Sequence, residues 1–62
     1  MTLLFSIYAK GYATYRTTDM LKASICGINR SKEGANPALV VTDGSNVVQV
    51  RRFKRDGSGL IT

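Results

Sequence analysis

The chain has no histidine and no tryptophan, one cysteine, one proline and four acidic residues. Each shortage excludes some chemistry. Without histidine, general acid–base catalysis near neutral pH loses its commonest group, and a thiol nucleophile has no imidazole to activate it. Cys26 has no second cysteine in the chain, so any disulfide would join two molecules. The acids Asp19, Glu33, Asp43 and Asp56 are scattered, so no metal-ligand spacing arises and neither a metal nor a cofactor is expected. Glycine motifs of the Gly-x-Gly-x-x-Gly or P-loop kind are missing too. Asp43-Gly44 and Asp56-Gly57 read as turn dipeptides rather than catalytic acids. A chain of 62 residues hardly wraps a substrate pocket of ordinary size. The expectation is a protein that is not an enzyme.

Long apolar runs are lacking as well. The segment MTLLFSIYA, Met1 to Ala9, has no basic start and is interrupted by Ser6, so it reads as a first β-strand and not as a targeting segment. It falls far short of the ~20 residues of a membrane span. No membrane association is expected, and a lone thiol without a signal peptide suggests a reducing, cytoplasmic setting.

The hydrophobic fraction of 44% is that of a folded domain rather than a disordered chain. Residues 1–55 are expected to form a single small α+β domain, and the Gly- and Ser-containing residues 56–62 a flexible tail in which Leu60 and Ile61 could dock. At this length folding buries only about 60% of the unfolded surface, so self-association, as a homodimer, or partner binding is the expected supplement to stability.

Residues 3 to 9 alternate as a strand, with Phe5 and Ile7 on one face and Ser6 and Tyr8 on the other. Lys10-Gly11 can turn the chain back into a second strand over Tyr12 to Arg16, or Gly11 can bend one long strand; the hairpin is preferred. TTDMLKASICGINR reads as a helix capped by Thr17 or Thr18, with Asp19 at its positive end and its close between Gly27 and Arg30. Met20, Leu21, Ser24, Ile25 and Ile28 recur at helical spacing and mark the expected core-facing stripe, with Cys26 a small packing residue at its border. Asn29 to Pro37 reads as a polar loop. Two β-branched runs flanking Asp43-Gly44 then predict a hairpin. A two-residue Asp43-Gly44 loop pairs Leu39 with Val48 and Val41 with Asn46, whereas a four-residue loop pairs Val41 with Val48 and Leu39 with Val50 and matches the apolar groups better; either register places Leu39, Val41, Val48 and Val50 on the core face. The predicted fold is α+β, in β-β-α-β-β order: a small antiparallel sheet of 3–4 strands with one helix on one face.

The formal net charge is +5. Four of the nine basic residues, Arg51, Arg52, Lys54 and Arg55, fall within five positions around Phe53. Alternation carried through this segment puts Gln49, Arg51, Phe53 and Arg55 on the uncovered sheet face, joined by Tyr8 and Tyr15 from the first hairpin. Rings on which bases stack, with arginines that hold phosphates, make a nucleic-acid platform. Other readings stand beside it. A bulge at Arg51-Arg52 would turn Phe53 inward. The apolar face could be a protein interface or dimer seam, or the charges could shield a sheet edge.

The expected function is nucleic-acid binding, DNA or RNA, through Arg51, Arg52, Phe53, Lys54, Arg55, Tyr8, Tyr15 and Gln49. The alternative is an inhibitor or adaptor of the phage or mobile-element type. Such a protein would bind a host enzyme or defence complex by placing a basic sheet edge on an acidic or nucleic-acid-binding protein surface.

Overall fold

The alternating segments do become strands, and their pairing decides which faces are covered. The computed structural model describes residues 2–59. Four strands, β1 (Leu3–Tyr8), β2 (Tyr15–Thr17), β3 (Ala38–Asp43) and β4 (Asn46–Arg52), surround one helix in the chain, α1 (Met20–Lys32). They form one sheet of order β2-β1-β3-β4 with every neighbouring pair antiparallel. This is a small α+β fold. The helix packs over β1, β2 and β3 and, among the described residues, not over β4. It is not long and apolar enough to cross a membrane.

The first hairpin is wider than a two-residue turn. The Tyr12 amide donates to the Ala9 carbonyl at 3.1 Å, and Gly11 supplies the positive φ of 84°. Strand pairing resumes only at Tyr15, which lies opposite Ile7. Because directly opposed residues share a face, Tyr15 sits on the helix side with Phe5 and Ile7. There it is half-buried against the core, which corrects its expected place on the open face.

The helix differs from expectation at both ends and in its buried face. Asp19 is the N-cap, its Oδ1 accepting from the Leu21 amide at 2.9 Å, while Thr17 Oγ1 accepts from the Asp19 amide at 3.0 Å. The helix runs on to Lys32, so the loop to β3 spans only 33–37. The buried side is lined by Ala23, Gly27 and Ser31. Met20, Leu21 and Ile25, expected inside, are half or more exposed, whereas Ile28 and Cys26 pack at the core margin.

The physical reason lies at Phe53. Its ring is 5% exposed and occupies the space above Gly27, where any Cβ would overlap it. A bulky helix stripe could not approach the sheet that closely, so the small side turns in. The core is Phe5, Ile7, Ala23, Leu39, Val41 and Phe53.

Phe53 points inward because of a bulge. At the hairpin tip Asp43 faces Asn46 and Thr42 faces Val47, the register of the four-residue loop. The register then shifts, and Val41 faces Gln49 while Leu39 faces Arg51. One extra residue reverses the faces of everything after it. Gln49, Arg51 and Phe53 therefore lie on the helix side. Val48 and Val50, expected in the core, are 54% and 61% exposed. The bulge sits upstream of Arg51-Arg52, at Val48.

Beyond β4 the chain closes a turn. Lys54 N donates to Gly59 O at 2.8 Å, Gly57 N to Lys54 O at 3.1 Å, and Ser58 N to Asp56 Oδ1 at 2.8 Å. The hydroxyl of Ser31 donates to the Lys54 carbonyl, and Gly57 rests on the Lys32 side chain. Asp56 to Gly59, expected as the start of a loose tail, is thus tied to the end of α1. Met1 and the expected docking of Leu60 and Ile61 lie outside the described residues.

Candidate nucleic-acid interface

The antiparallel order brings distant charges to one end of the molecule. Tyr8, the last residue of β1, faces Ala38, the first of β3, and Ala38 faces Arg52, the last of β4. The β1–β2 turn and the C-terminal end of α1 meet at the same end, as Arg30 Nη1 donates to the Ile7 carbonyl at 3.4 Å. Lys10, Arg30, Lys32, Arg51, Arg52, Lys54 and Arg55 all belong to this pole, seven of the nine basic residues of the chain. Only two acids, Glu33 and Asp56, share it. Arg16 and Lys22 lie outside the pole and are balanced by Asp19 and Asp43.

The polar neighbours decide how much of this charge is available. Glu33 is engaged by the Tyr12 hydroxyl, which donates to Oε2. That hydrogen bond is the main reason the Tyr12 phenol is held above its ordinary value of 10.0; partial desolvation and the Glu33 charge add to it, and Arg30 opposes. The Arg30 guanidinium stacks over the Tyr12 ring, 5.2 Å from its centroid. The hydrogen bonds from Ser58 hold the Asp56 carboxyl below its ordinary range. Gln49, with its amide oxygen toward the guanidinium, accepts from Arg51 Nε at 2.9 Å and Nη2 at 3.0 Å. Arg30 and Arg51 are thus partly committed to structure, whereas Lys10, Arg52, Lys54 and Arg55 stand exposed.

Of the expected site residues, the structure brings Arg51, Arg52, Lys54 and Arg55 together with Tyr8, and separates out Phe53 and Tyr15. Phe53 is core and cannot stack on a base. Tyr15 and Gln49 face the helix side. Tyr8, 42% exposed, is the one ring left on the open face, two strands and ~10 Å from Arg52 in the same cross-strand row. Arg16 is on that face as well, opposite Ser6. Beside Arg52 and Arg55, Asn36, Pro37 and Phe53 line a shallow cleft.

The sequence pattern assigns Lys10, Arg30, Lys32 and Asn36 to turn and loop, with no sign that they join the Arg51–Arg55 run at one pole. The signal was present in the strand order: antiparallel neighbours put the end of β1, the start of β3 and the end of β4 at one level. Compared with protein-family models, with curated proteins and with solved structures, the chain matches none.

Proposed function

We propose that this chain is a non-enzymatic binding protein whose basic pole holds the phosphate backbone of a nucleic acid. One observation carries the reading: seven of nine basic residues converge on one end, and the two acids there are already hydrogen-bonded. Lys10, Arg52, Lys54 and Arg55 supply the phosphate contacts, and Tyr8 is the side chain placed to stack on an unpaired base. The half-buried, lone thiol of Cys26 suits a reducing, cytoplasmic setting.

The test is a salt-titrated binding measurement with single-stranded and duplex probes. Affinity should fall with salt at a log–log slope of about 0.7 per phosphate contact on single strands and about 0.9 on duplex DNA. Replacing Arg52, Lys54 and Arg55 together by alanine should flatten that slope by about two to three units. Tyr8→Ala should weaken single-strand binding by ~1–3 kcal/mol and leave duplex binding unchanged. Binding and slope that survive the triple alanine variant would sink the proposal.

The loss of Phe53 and Tyr15 from the open face favours a second reading, in which the same pole docks on an acidic protein surface as an inhibitor or adaptor would. Capture from nuclease-treated lysate separates them. A stoichiometric protein retained after nuclease supports docking, and its loss supports nucleic acid.

A further inference from the structure

Two shallow clefts open on the basic pole and share Asn36 and Arg55. The smaller, about 190 Å³, is lined by Asn36, Pro37, Arg52, Phe53 and Arg55. The larger, about 340 Å³, is lined by Ser31, Gly34, Ala35, Asn36 and Arg55. They differ in what they offer a ligand.

The smaller cleft forms where the chain leaves β4. The Phe53 amide donates to the Pro37 carbonyl at 3.3 Å, which holds this segment beside the loop that precedes β3. Arg52 comes just before that contact. Arg55 follows it, inside the turn fastened by Gly57 N donating to Lys54 O at 3.1 Å. The backbone on both arms is therefore tied, while the Arg52, Arg55 and Asn36 side chains stand exposed. Pro37 and Phe53 are buried and supply no hydrogen-bonding side chain. Each of the three polar side chains can donate, and two carry a positive charge. No carboxylate is among the described residues that line the cleft. The neighbouring acid, Asp56, already accepts from the Ser58 amide at 2.8 Å.

We propose that this cleft holds the terminal phosphate of a nucleic-acid strand, gripped by Arg52 and Arg55 with the Asn36 carboxamide as a further donor. The inference rests on the reading of the pole as phosphate-binding, and adds that the protein distinguishes a strand end from a strand interior.

Size, charge and comparison of the two clefts support it. A volume of about 190 Å³ lies below the ~300–1,000 Å³ that encloses a drug-sized ligand, so the cleft takes one chemical group rather than a whole nucleotide. A terminal monoester carries about −1.5 to −2 charges at neutral pH, whereas a linking phosphate carries one. Two guanidinium forks in one cleft match the more highly charged group, and each can meet phosphate oxygens bidentately. The larger cleft has a single guanidinium. It also lies at the C-terminal end of α1, where the helix dipole opposes an anion. The amides of Glu33, Gly34 and Ala35 are spent there on the carbonyls of Asn29, Ser31 and Arg30.

The test is fluorescence anisotropy on one internally labelled single strand prepared in three forms: with a 5′-phosphate, with a 3′-phosphate, and with hydroxyls at both ends. A phosphate at one of the two ends should tighten binding about tenfold over the hydroxyl-ended strand. Lys10→Ala, outside the cleft, should weaken all three forms alike and leave that ratio unchanged. Arg52→Lys keeps the charge but loses the fork, so it should bring the ratio toward one. Asn36→Ala, in an exposed loop, should lower the ratio as well and serves if circular dichroism shows Arg52→Lys unfolded. Equal affinity for the three forms, with binding still falling steeply with salt, overturns the cleft and leaves the pole standing. Failure of every strand to bind overturns both. A ratio that survives Arg52→Lys and Asn36→Ala means attraction to the pole as a whole, and overturns the proposal too.

Discussion

β1 and β4 are both written in alternating apolar residues, yet their surroundings are opposite. β1 lies between β2 and β3 beneath the helix and buries Phe5, Ser6 and Ile7 in succession. Among the described residues β4 has one strand neighbour and no helix above it, and all but one of its side chains are exposed. Alternation predicts that a segment will be a strand with two distinct faces. It carries no information on how many neighbours that strand will have. The difference comes from position in the sheet, and burial follows position.

The comparison breaks most visibly at single core side chains. Phe53→Ala should cost about 3–5 kcal/mol and Ile7→Ala about 2–5 kcal/mol, from lost transfer energy and the cavity left behind. Domains of this size have only a few kcal/mol to lose, so Phe53→Ala is expected to abolish the cooperative urea transition followed by circular dichroism. Val50→Ala, measured at dilution where the chain is monomeric, should stay within about 0.5 kcal/mol of wild type. A Val50→Ala cost equal to that of Ile7→Ala would mean β4 is covered in solution.

Gly27→Ala offers a test by sign. In an exposed helix interior this change stabilises by about 0.4–1 kcal/mol, because alanine restricts the unfolded chain and favours the helix. At Gly27 the new methyl meets the Phe53 ring, so a loss of about 1–3 kcal/mol is expected instead. Combining Gly27→Ala with Phe53→Leu should recover part of it, a coupling that a double-mutant cycle in urea reads directly. A stabilised Gly27→Ala would show that the ring and the helix do not meet.

This pair of residues also marks where the sequence was legible and where it was not. The strand pattern of Leu3–Tyr8, the inward Phe5 and Ile7, the hairpin around Gly44 and the helix between the two hairpins follow from local chemistry, and the structure has them. The bulge at Val48 does not: Val-Val-Gln-Val reads equally well in either phase, and only the long-range fit of Phe53 against Gly27 selects one. The helix was misjudged for the same reason. Met20, Leu21 and Ile25 have the greater hydrophobicity, but Ala23, Gly27 and Ser31 leave room for the ring. The candidate site was legible as a local run, Arg51 to Arg55. Its convergence with Lys10, Arg30 and Lys32 required strand order, which no local pattern contains.

The smallest expected effect lies in the side-chain contacts that fasten the β1–β2 turn to the end of α1. The Tyr12 hydroxyl donates to Glu33, so the neutral phenol is favoured in the folded protein and its pKa is raised above 10.0. A folded value above the unfolded one means the contribution is fully present below pH 10 and is lost as pH rises through the folded value. Because Tyr12 is exposed, the stability change should be slight, and the titration itself is the better readout. In a Tyr8→Phe, Tyr15→Phe background, ultraviolet absorbance should show Tyr12 ionising above the ordinary tyrosine range. Glu33→Gln removes the charge and weakens the acceptor, so it should move that midpoint back down. A midpoint indifferent to Glu33 would mean that the turn is not held to the helix in this way, and that the covered half of the molecule relies on its core alone.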